Sequence, residues 1–250
     1  MKKVSFVTGG SKGIGAAVCR ELASNGDYVF IGYSNSEDEA NKVKTDILEK
    51  GGECEIIKID VSNENDINSA YEYVKNKVSK IDKLACCAGV EDFSSLFDIS
   101  KNRFDHVFGI NTFGQFKCTS LFSNIINEGG AIVLTSSVSA KMTVREHMLY
   151  ASSKAAVESF VKNASLELGD KGIKINAIAP GAVATGMAAG NAHKYIPKGL
   201  NIELKDWKGV NSACKRIGNV QEIAKAYNFL LSDSVPFMTG STMNVDGGRI

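Results

Sequence analysis

The chain alternates short apolar runs with longer segments in which apolar residues recur at helical spacing. The short runs predict strands at 3–8, 28–33, 54–59, 82–87, 131–135, 173–178 and near 241–245. The longer segments predict helices at 13–25, 36–50, 64–79, 100–127, 150–169 and 220–231. Strands separated by helices are typical of βαβ units, in which helices cover both faces of a parallel sheet. The pattern therefore predicts an α/β fold: a doubly wound parallel sheet of the Rossmann type, in three αβα layers, formed by one domain over 1–250.

One segment breaks this alternation. About 35 residues, 182–216, separate the sixth strand from the last helix without a clear period. Loops of this length in a compact domain are commonly lids or binding loops. We expect 186–216 to fold over a substrate.

The composition is that of an ordinary globular protein, with 44% hydrophobic and 23% charged residues among 250. The net charge of +1 gives no reason to expect nucleic acid or an acidic membrane surface as a partner. No apolar run approaches the roughly 18 residues of a membrane span. The first apolar run is short and leads into a glycine loop, so it predicts a strand rather than a signal peptide. We expect a cytoplasmic protein with neither nucleic acid nor membrane as a partner.

The six cysteines are irregularly spaced and include no Cys-x-x-Cys pair. This spacing supplies no metal framework, so no metal site is expected. Cys86 and Cys87 stand side by side at the end of the fourth predicted strand. They could form a metal site, a redox pair, a nucleophile or a buried strand end. We favour buried structural thiols in a reducing cytosol.

A glycine-rich loop joins the first strand to the first helix and reads Thr8-Gly9-Gly10-Ser11-Lys12-Gly13-Ile14-Gly15. Glycines permit a tight turn and close approach of the backbone to a pyrophosphate, and the helix that follows offers N–H groups to the phosphates. A turn alone also needs glycine, but the position between strand and helix favours a dinucleotide. The residues expected to bind it are Gly9, Ser11, Lys12, Gly13, Ile14 and Gly15.

The residues at the end of the second strand discriminate between the 2′-hydroxyl of NAD(H) and the 2′-phosphate of NADP(H). An acidic residue there would bind a 2′-hydroxyl and repel a 2′-phosphate, but this strand ends in Tyr33-Ser34-Asn35. With Lys12 as a nearby positive charge, NADP(H) is preferred over NAD(H), unless Lys12 is only a solvated loop residue. Asp60, which follows the third strand, can reach an adenine amino group or cap the next helix.

Three residues suggest the chemistry. Ser137 follows the fifth strand, and Tyr150 and Lys154 are four apart on a predicted helix, so they share one face. A phenol with a pKa near ~10 is a poor acid–base catalyst at neutral pH, and a neighbouring ammonium lowers that pKa. Ser137 can donate a hydrogen bond to a carbonyl oxygen. The three therefore predict carbonyl reduction with a nicotinamide.

With these motifs the chain resembles the short-chain dehydrogenase/reductase family in its compact form. The motifs are Thr8-Gly9-x-x-x-Gly13-x-Gly15, Asp60-Val61, Ala88-Gly89, Asn111, Ser137, Tyr150-x-x-x-Lys154, Asn176, Pro180-Gly181-x-Val183-x-Thr185 and Val245-Asp246-Gly247-Gly248. The resemblance implies the strand order 3-2-1-4-5-6-7 and NAD(P)(H)-dependent interconversion of a ketone and a secondary alcohol. It also implies a homotetramer or homodimer.

The resemblance further implies roles by position. Tyr150 would be the acid–base residue, Ser137 would orient the substrate, and Lys154 would bind the ribose and tune Tyr150. Asn111 would hold a water that continues the proton relay. The remaining implied cofactor contacts are Asp60, Val61, Ala88, Gly89, Pro180, Gly181, Val183 and Thr185. The family usually has two asparagines where this chain has Cys86 and Cys87, so it is open how this sheet edge is braced.

The substrate is less determined. A 3-oxoacyl-[acyl-carrier-protein] reductase is one alternative, but half of the basic docking patch of such enzymes is missing here. Lys171 is present, whereas the other place reads Asn127-Glu128-Gly129. A free small ketone, sugar, steroid or secondary-metabolite intermediate is favoured.

The expected substrate contacts are His147, Met148 and Met187. An alternative of another class is a cofactor-binding regulatory protein without catalysis. The presence of both Tyr150 and Lys154 disfavours that alternative.

Overall fold

The computed structural model describes residues 2–196 and 212–248. The strands are β1 (Val4–Thr8), β2 (Tyr28–Tyr33), β3 (Glu53–Lys58), β4 (Ile81–Cys86), β5 (Ile126–Thr135), β6 (Lys174–Pro180) and β7 (Thr242–Val245). They form one parallel sheet in the order β3-β2-β1-β4-β5-β6-β7. The predicted doubly wound sheet and its strand order are confirmed.

Helices cover both faces of the sheet. They are α1 (Gly13–Ser24), α2 (Glu37–Glu49), α3 (Glu64–Val78), α4 (Lys101–Phe108), α5 (Gly114–Phe122), α6 (Met148–Gly169), α7 (Gly186–Asn191) and α8 (Val220–Leu231). One hydrophobic cluster lies between the sheet and α3, α5 and α6, and a second lies between the sheet and α1, α2 and α8. Successive strand residues point to opposite faces, so Phe6 packs in the first cluster and Val7 in the second. This explains why the strands form continuous apolar runs.

The helix predicted over 100–127 is wrong in its extent. The chain forms α4, one turn of π-helix over Gly109–Phe113, and then α5, which ends at Phe122. A Cβ at Gly114 would lie 2.7 Å from the carbonyl oxygen of Val61, so the backbone of α5 approaches the loop after β3 directly. The π turn lies at Asn111, whose carbonyl oxygen accepts a hydrogen bond from Gln115 Nε2 at 2.6 Å. Such turns are frequent at functional sites.

The start predicted for the fifth strand is also wrong. β5 begins at Ile126 rather than at residue 131. Its first part contains the polar pair Asn127-Glu128 and Gly129, which has a φ of 79°. A polar stretch with glycine is typical of a turn. For this reason the sequence pattern did not predict residues 126–130 as part of the strand.

The segment expected to cover the substrate is described in part. It begins with α7 and a 3₁₀ turn over Ala192–Tyr195, and residues 197–211 of the expected lid lie outside the described residues. The side chains of Asn191 and Tyr195 bind Glu91, in the loop after β4. The described start of the lid is therefore tied to the body of the fold. No helix among residues 2–196 and 212–248 combines the length and apolar character needed to cross a membrane.

Candidate active site

The carboxyl ends of the central strands meet at one edge of the sheet. β1 leads into the glycine loop, β4 into Ala88-Gly89, and β5 into Ser137. Lys154 of α6 faces this edge, because a Cβ at Gly89 would lie 3.4 Å from Lys154 Nζ. Thus residues from distant parts of the chain form one site at the position where doubly wound folds bind their ligands.

The glycine loop leaves no room for side chains. A Cβ at Gly15 would lie 2.2 Å from the Gly9 carbonyl oxygen, and a Cβ at Gly9 would lie 2.7 Å from backbone atoms of Ala88. Gly9 and Gly13 have φ values of 66° and 54°, in the region that favours glycine. Lys12, the N-cap residue of α1, makes no capping side-chain bond. The N–H groups at this helix end therefore stay free for a phosphate, and the loop fits a dinucleotide.

At the tip of β2, Lys12 and Asn35 are exposed and Ser34 is partly buried. Tyr33 is buried, and burial together with the charge of Glu37 raises the pKa of its phenol. Lys12 and Asn35 can therefore donate hydrogen bonds to an anion at this tip. The Tyr33 side chain is instead part of the buried core.

Asp60 does not cap α3. Asn63 accepts the capping bond, from the backbone N–H of Asn65 at 2.9 Å. Asp60 Oδ1 instead accepts from the backbone N and the hydroxyl of Ser62, at 2.9 and 2.7 Å. Val61 is buried against α5. These contacts fix the loop after β3 at the edge of the site.

Lys154 is almost fully buried, with 2% of its surface exposed. Its Nζ donates to the carbonyl oxygen of Thr135 at 3.0 Å and lies 5.7 Å from the centre of the Tyr150 ring. Burial lowers the pKa of the Lys154 ammonium to about 7. At neutral pH the cofactor-free protein therefore holds this amine in both protonation states.

Tyr150 is partly buried, and its ring stacks on His147 with 4.5 Å between the ring centres. Burial raises the pKa of its phenol to about 12, a hydrogen bond with Ser137 counteracts the rise, and the charge of Glu91 adds to it. The sequence-based expectation was a lowered pKa. Without cofactor the desolvation of the phenolate outweighs the hydrogen bond with Ser137, so the pKa is raised instead.

Asn111 has no exposed surface. Its amide oxygen accepts from the Val90 backbone N at 2.9 Å, and its amide nitrogen donates to the Val90 carbonyl at 2.9 Å and to Ser153 Oγ at 3.1 Å. The side chain therefore joins the loop after β4 to α6. Its backbone carbonyl, at the π turn, is the part that faces Gln115.

The segment after β6 closes the other side. Gly181 N donates to the Val245 carbonyl at 3.0 Å, and Val183 is buried beside Gly218. A Cβ at Gly13 would lie 3.5 Å from Thr185 Cγ2, so Thr185 stands directly over the glycine loop. Pro180, the last residue of β6, is buried.

Comparisons with known proteins agree with this geometry. A family model described as enoyl-(acyl carrier protein) reductase matches residues 9–249. The chain is 35% identical to versicolorin reductase 1 of Dothistroma septosporum, over 98% of this chain and 95% of that protein. It is 33% identical to the tetrahydroxynaphthalene reductase of Pestalotiopsis fici, over 99% and 91%. The chain belongs to the short-chain dehydrogenase/reductase family. It is thus an NAD(P)-dependent oxidoreductase of the class that interconverts ketones and secondary alcohols.

A solved member of the family, a short-chain dehydrogenase of Burkholderia cenocepacia J2315 in complex with NADP, has the same fold. It is 28% identical, with a TM-score of 0.87 over 98% of this chain and 97% of that one.

The two cysteines are a departure from the family pattern. Burial raises the pKa of the Cys87 thiol to about 12, and Cys118 and burial raise that of Cys86. The expectation of buried thiols holds for Cys86, whereas Cys87 is partly buried; both are held protonated, and protonated thiols are poor nucleophiles. The bracing comes from elsewhere: the hydroxyl of Thr135 binds both the Cys86 carbonyl and the buried hydroxyl of Tyr227 on α8.

Sequence reasoning missed three polar residues of the site: Gln115, Tyr227 and Glu91. The Gln115 amide accepts from the Thr135 backbone N at 2.8 Å and donates to the Thr135 carbonyl at 3.1 Å. A glutamine amid the aromatic residues of 113–116 was the available signal, because a buried amide needs partners.

The three expected substrate contacts lie near Tyr150 or on the lid. Met187, in the first turn of α7, is 45% exposed, and Met148 is partly buried. His147 is fully buried between the rings of Phe93 and Tyr150. It therefore acts on the site through Tyr150 and offers no open surface to a ligand.

Proposed function

We propose that this protein is an NADP(H)-dependent reductase of a small ring-bearing ketone, with Tyr150 as its acid–base residue. The observation that carries the proposal is the convergence of Ser137, Tyr150 and Lys154 beside the glycine loop. No regulatory role requires a phenol, a hydroxyl and a buried amine at one point.

The residues divide the reaction as follows. A bound nicotinamide cofactor supplies the hydride to the carbonyl carbon, or takes it in the reverse direction. The Tyr150 hydroxyl donates its proton to the carbonyl oxygen, and Ser137 Oγ donates a hydrogen bond to the same oxygen. Lys154, when protonated, favours the phenolate that results. Asn111 ties the loop after β4 to α6, the helix that carries Tyr150 and Lys154.

Preference for NADP(H) rests on the tip of β2. Lys12 and Asn35 are exposed there, and no acid occupies positions 33–35. A charge-assisted bond to phosphate is worth about 1.5–3 kcal/mol. Lys12→Ala is therefore expected to weaken NADP(H) binding about tenfold or more, and NAD(H) binding much less. Equal losses for both cofactors in fluorescence titrations would remove this argument.

The class of substrate follows from the aromatic wall next to Tyr150. Phe93 and Tyr195 are partly buried and pack edge to face there, and both contact the fully buried His147 ring behind them. Such a wall suits an apolar ring, and one relative is named as a reductase of tetrahydroxynaphthalene, an aromatic ring compound. An acyl-carrier-protein thioester is disfavoured by Glu128, which is exposed where docking would need a basic residue.

We expect the protein to be cytoplasmic and to form a homodimer or homotetramer.

The decisive experiment is Tyr150→Phe. The ring and its stack on His147 remain, but the proton donor is lost. Turnover of 1-tetralone with NADPH should fall about 10²–10⁴-fold, while nicotinamide fluorescence still reports binding. Tyr73→Phe, on an exposed tyrosine far from the site, is the matched control. Normal turnover in Tyr150→Phe would refute the mechanism. The regulatory alternative would be favoured if the wild-type protein binds NADPH but reduces none of a panel of aliphatic and aromatic ketones.

A further inference from the structure

Glu91 is a buried carboxylate next to the reacting groups, and sequence motifs assign it no role. It lies two residues after Gly89, and 7% of its side chain is exposed. Burying a carboxylate is costly unless it is paired and hydrogen-bonded. The groups that contact this carboxylate therefore indicate its role.

Two of its partners come from the lid. Asn191 Nδ2 donates to Glu91 Oε2 at 2.8 Å, and the Tyr195 hydroxyl donates to Oε1. Asn191 is the last residue of α7, and Tyr195 ends the 3₁₀ turn that follows. One carboxylate thus fastens both ends of this short stretch to the body of the fold.

The third partner reaches Tyr150. His147 Nε2 lies 3.5 Å from Glu91 Oε1, within ion-pair distance. The imidazole is fully buried, and neither of its nitrogens makes a hydrogen bond within the described part of the chain. Its ring lies between Phe93 and Tyr150, at 4.4 and 4.5 Å between centres. The Glu91 carboxylate thus lies within ion-pair distance of the ring on which Tyr150 stacks.

The next residue serves as a comparison. Asp92 is also buried, but it pairs with Arg103 at 2.9 Å and accepts from Ser94 Oγ at 2.7 Å. Neither partner belongs to the lid or touches Tyr150. Two adjacent carboxylates thus have different tasks: Asp92 ties its loop to α4, and Glu91 faces the site.

We propose that Glu91 is a positioning residue that couples the described start of the lid, residues 186–196, to Tyr150, because it binds Asn191 and Tyr195 on one side and lies beside the His147 ring on the other. This inference rests on the proposed function. Two donors from Asn191 and Tyr195 hold the Glu91 carboxylate against His147, and the Tyr150 ring stacks on that imidazole.

Charge supports the same link. The carboxylate of Glu91 adds to the burial and opposes ionisation of Tyr150, so it raises the pKa of the phenol. The other groups that face Tyr150 are Ser137, Lys154 and His147. Around Glu91 itself, burial opposes ionisation, but its contacts with His147, Tyr195 and Asn191 hold its pKa below the usual value. Among the described residues, further charges nearby are Asp92 with its partner Arg103, Glu146 next to His147, and Lys194, 4.9 Å over the Phe93 ring.

The first test is Glu91→Gln, which keeps the shape and removes the charge. In the oxidising direction, with 1-tetralol and NADP, Tyr150 must be unprotonated, so the rate rises with pH. Without the negative charge the phenolate is easier to form, and the rise should move to lower pH by about half a unit or more. Asp92→Asn is the matched control and should leave the profile in place. A Glu91→Gln profile that overlays the wild-type profile would overturn the coupling to Tyr150.

The second test needs no turnover. In the cofactor-free protein, Glu91→Ala should speed backbone hydrogen exchange over 186–196 about tenfold, and Tyr195→Phe should do so to a smaller extent. Asp92→Asn should not change exchange there. Unchanged exchange in Glu91→Ala would overturn the link to the lid. If wild-type protein reduces no ketone, the proposed function fails, while the exchange data still decide whether Glu91 holds the lid.

Discussion

Lys154 Nζ donates to the carbonyl oxygen of Thr135, 3.0 Å away at the end of β5. That oxygen also accepts from Gln115 Nε2 at 3.1 Å. The bond fixes the amine at the carboxyl edge of the sheet, yet a carbonyl dipole compensates little of the cost of burying a charge. The site is thus well positioned but strained electrostatically as long as no cofactor is bound.

Lys154→Met is expected to stabilise the cofactor-free protein. Burial lowers the pKa of Lys154 from 10.5 to about 7, so between these values the unfolded chain holds a proton that the folded protein lacks. The free energy of unfolding of the wild type therefore rises with pH across this window. Since one pKa unit corresponds to about 1.4 kcal/mol, a shift from 10.5 to about 7 makes the gain from Met on the order of 5 kcal/mol below pH 7.

The measurement is urea unfolding of both proteins from pH 6 to about 11. The gain should shrink as the pH rises above 7 and should be lost above the unfolded pKa of 10.5, where the amine is neutral in both states of the wild type. A gain that is the same at all pH values would mean that Met merely packs better.

Gln115→Met should reduce turnover without loss of the fold. The amide binds both backbone groups of Thr135 and the Asn111 carbonyl, so its removal frees the strand end that fixes Lys154. Small displacements of reacting groups can lower rates about 10²-fold, and a tenfold to hundredfold loss in kcat is expected. Thr119→Val is the control, because its hydroxyl donates only to the Gln115 carbonyl in the same helix. Equal kcat in Gln115→Met and wild type would contradict the positioning role.

Tyr227→Phe should weaken the brace at the end of β4. Its hydroxyl pairs with Thr135, and with Cys87 at the strand end. Loss of a buried hydrogen bond costs about 1–3 kcal/mol, measured as unfolding free energy. Adding Cys87→Asn, which supplies a side-chain amide, should recover part of the lost unfolding free energy.

Cys87→Ser alone, in the otherwise unchanged protein, should leave turnover largely intact. A large loss in Cys87→Ser would mean that the thiol takes part in the chemistry.

Gly15→Ala should abolish cofactor binding. The new Cβ would lie 2.2 Å from the Gly9 carbonyl oxygen, so the loop must move away from the position that a pyrophosphate needs. Gly169→Ala, where a Cβ meets nothing within 4 Å, is the control. Fluorescence titration with NADPH should separate the two variants, and tight binding by Gly15→Ala would contradict this account of the loop.

The features that the sequence predicted are local in the chain. The glycine loop and the Tyr150–Lys154 pair depend on spacings within one turn or one helix, and the strands depend on short apolar runs. The missed contacts join distant residues: Gln115 meets Thr135 across 20 positions and Glu91 meets Tyr195 across 104. The break at Gly109–Phe113 was missed because helical spacing continues through a π turn. Side-chain partners that only the closed fold brings together leave no periodic signal.

The contact of Gly9 with the backbone of Ala88 has a consequence for synthesis. Thr8 and Ala88, joined by a hydrogen bond between the Thr8 hydroxyl and the Ala88 N–H, lie 80 positions apart. On the ribosome the glycine loop emerges well before β4, which forms its wall. A nascent chain that has exposed only β1 to β3 carries the loop without its cradle. The glycine loop can therefore reach its folded shape only after translation has passed Ala88.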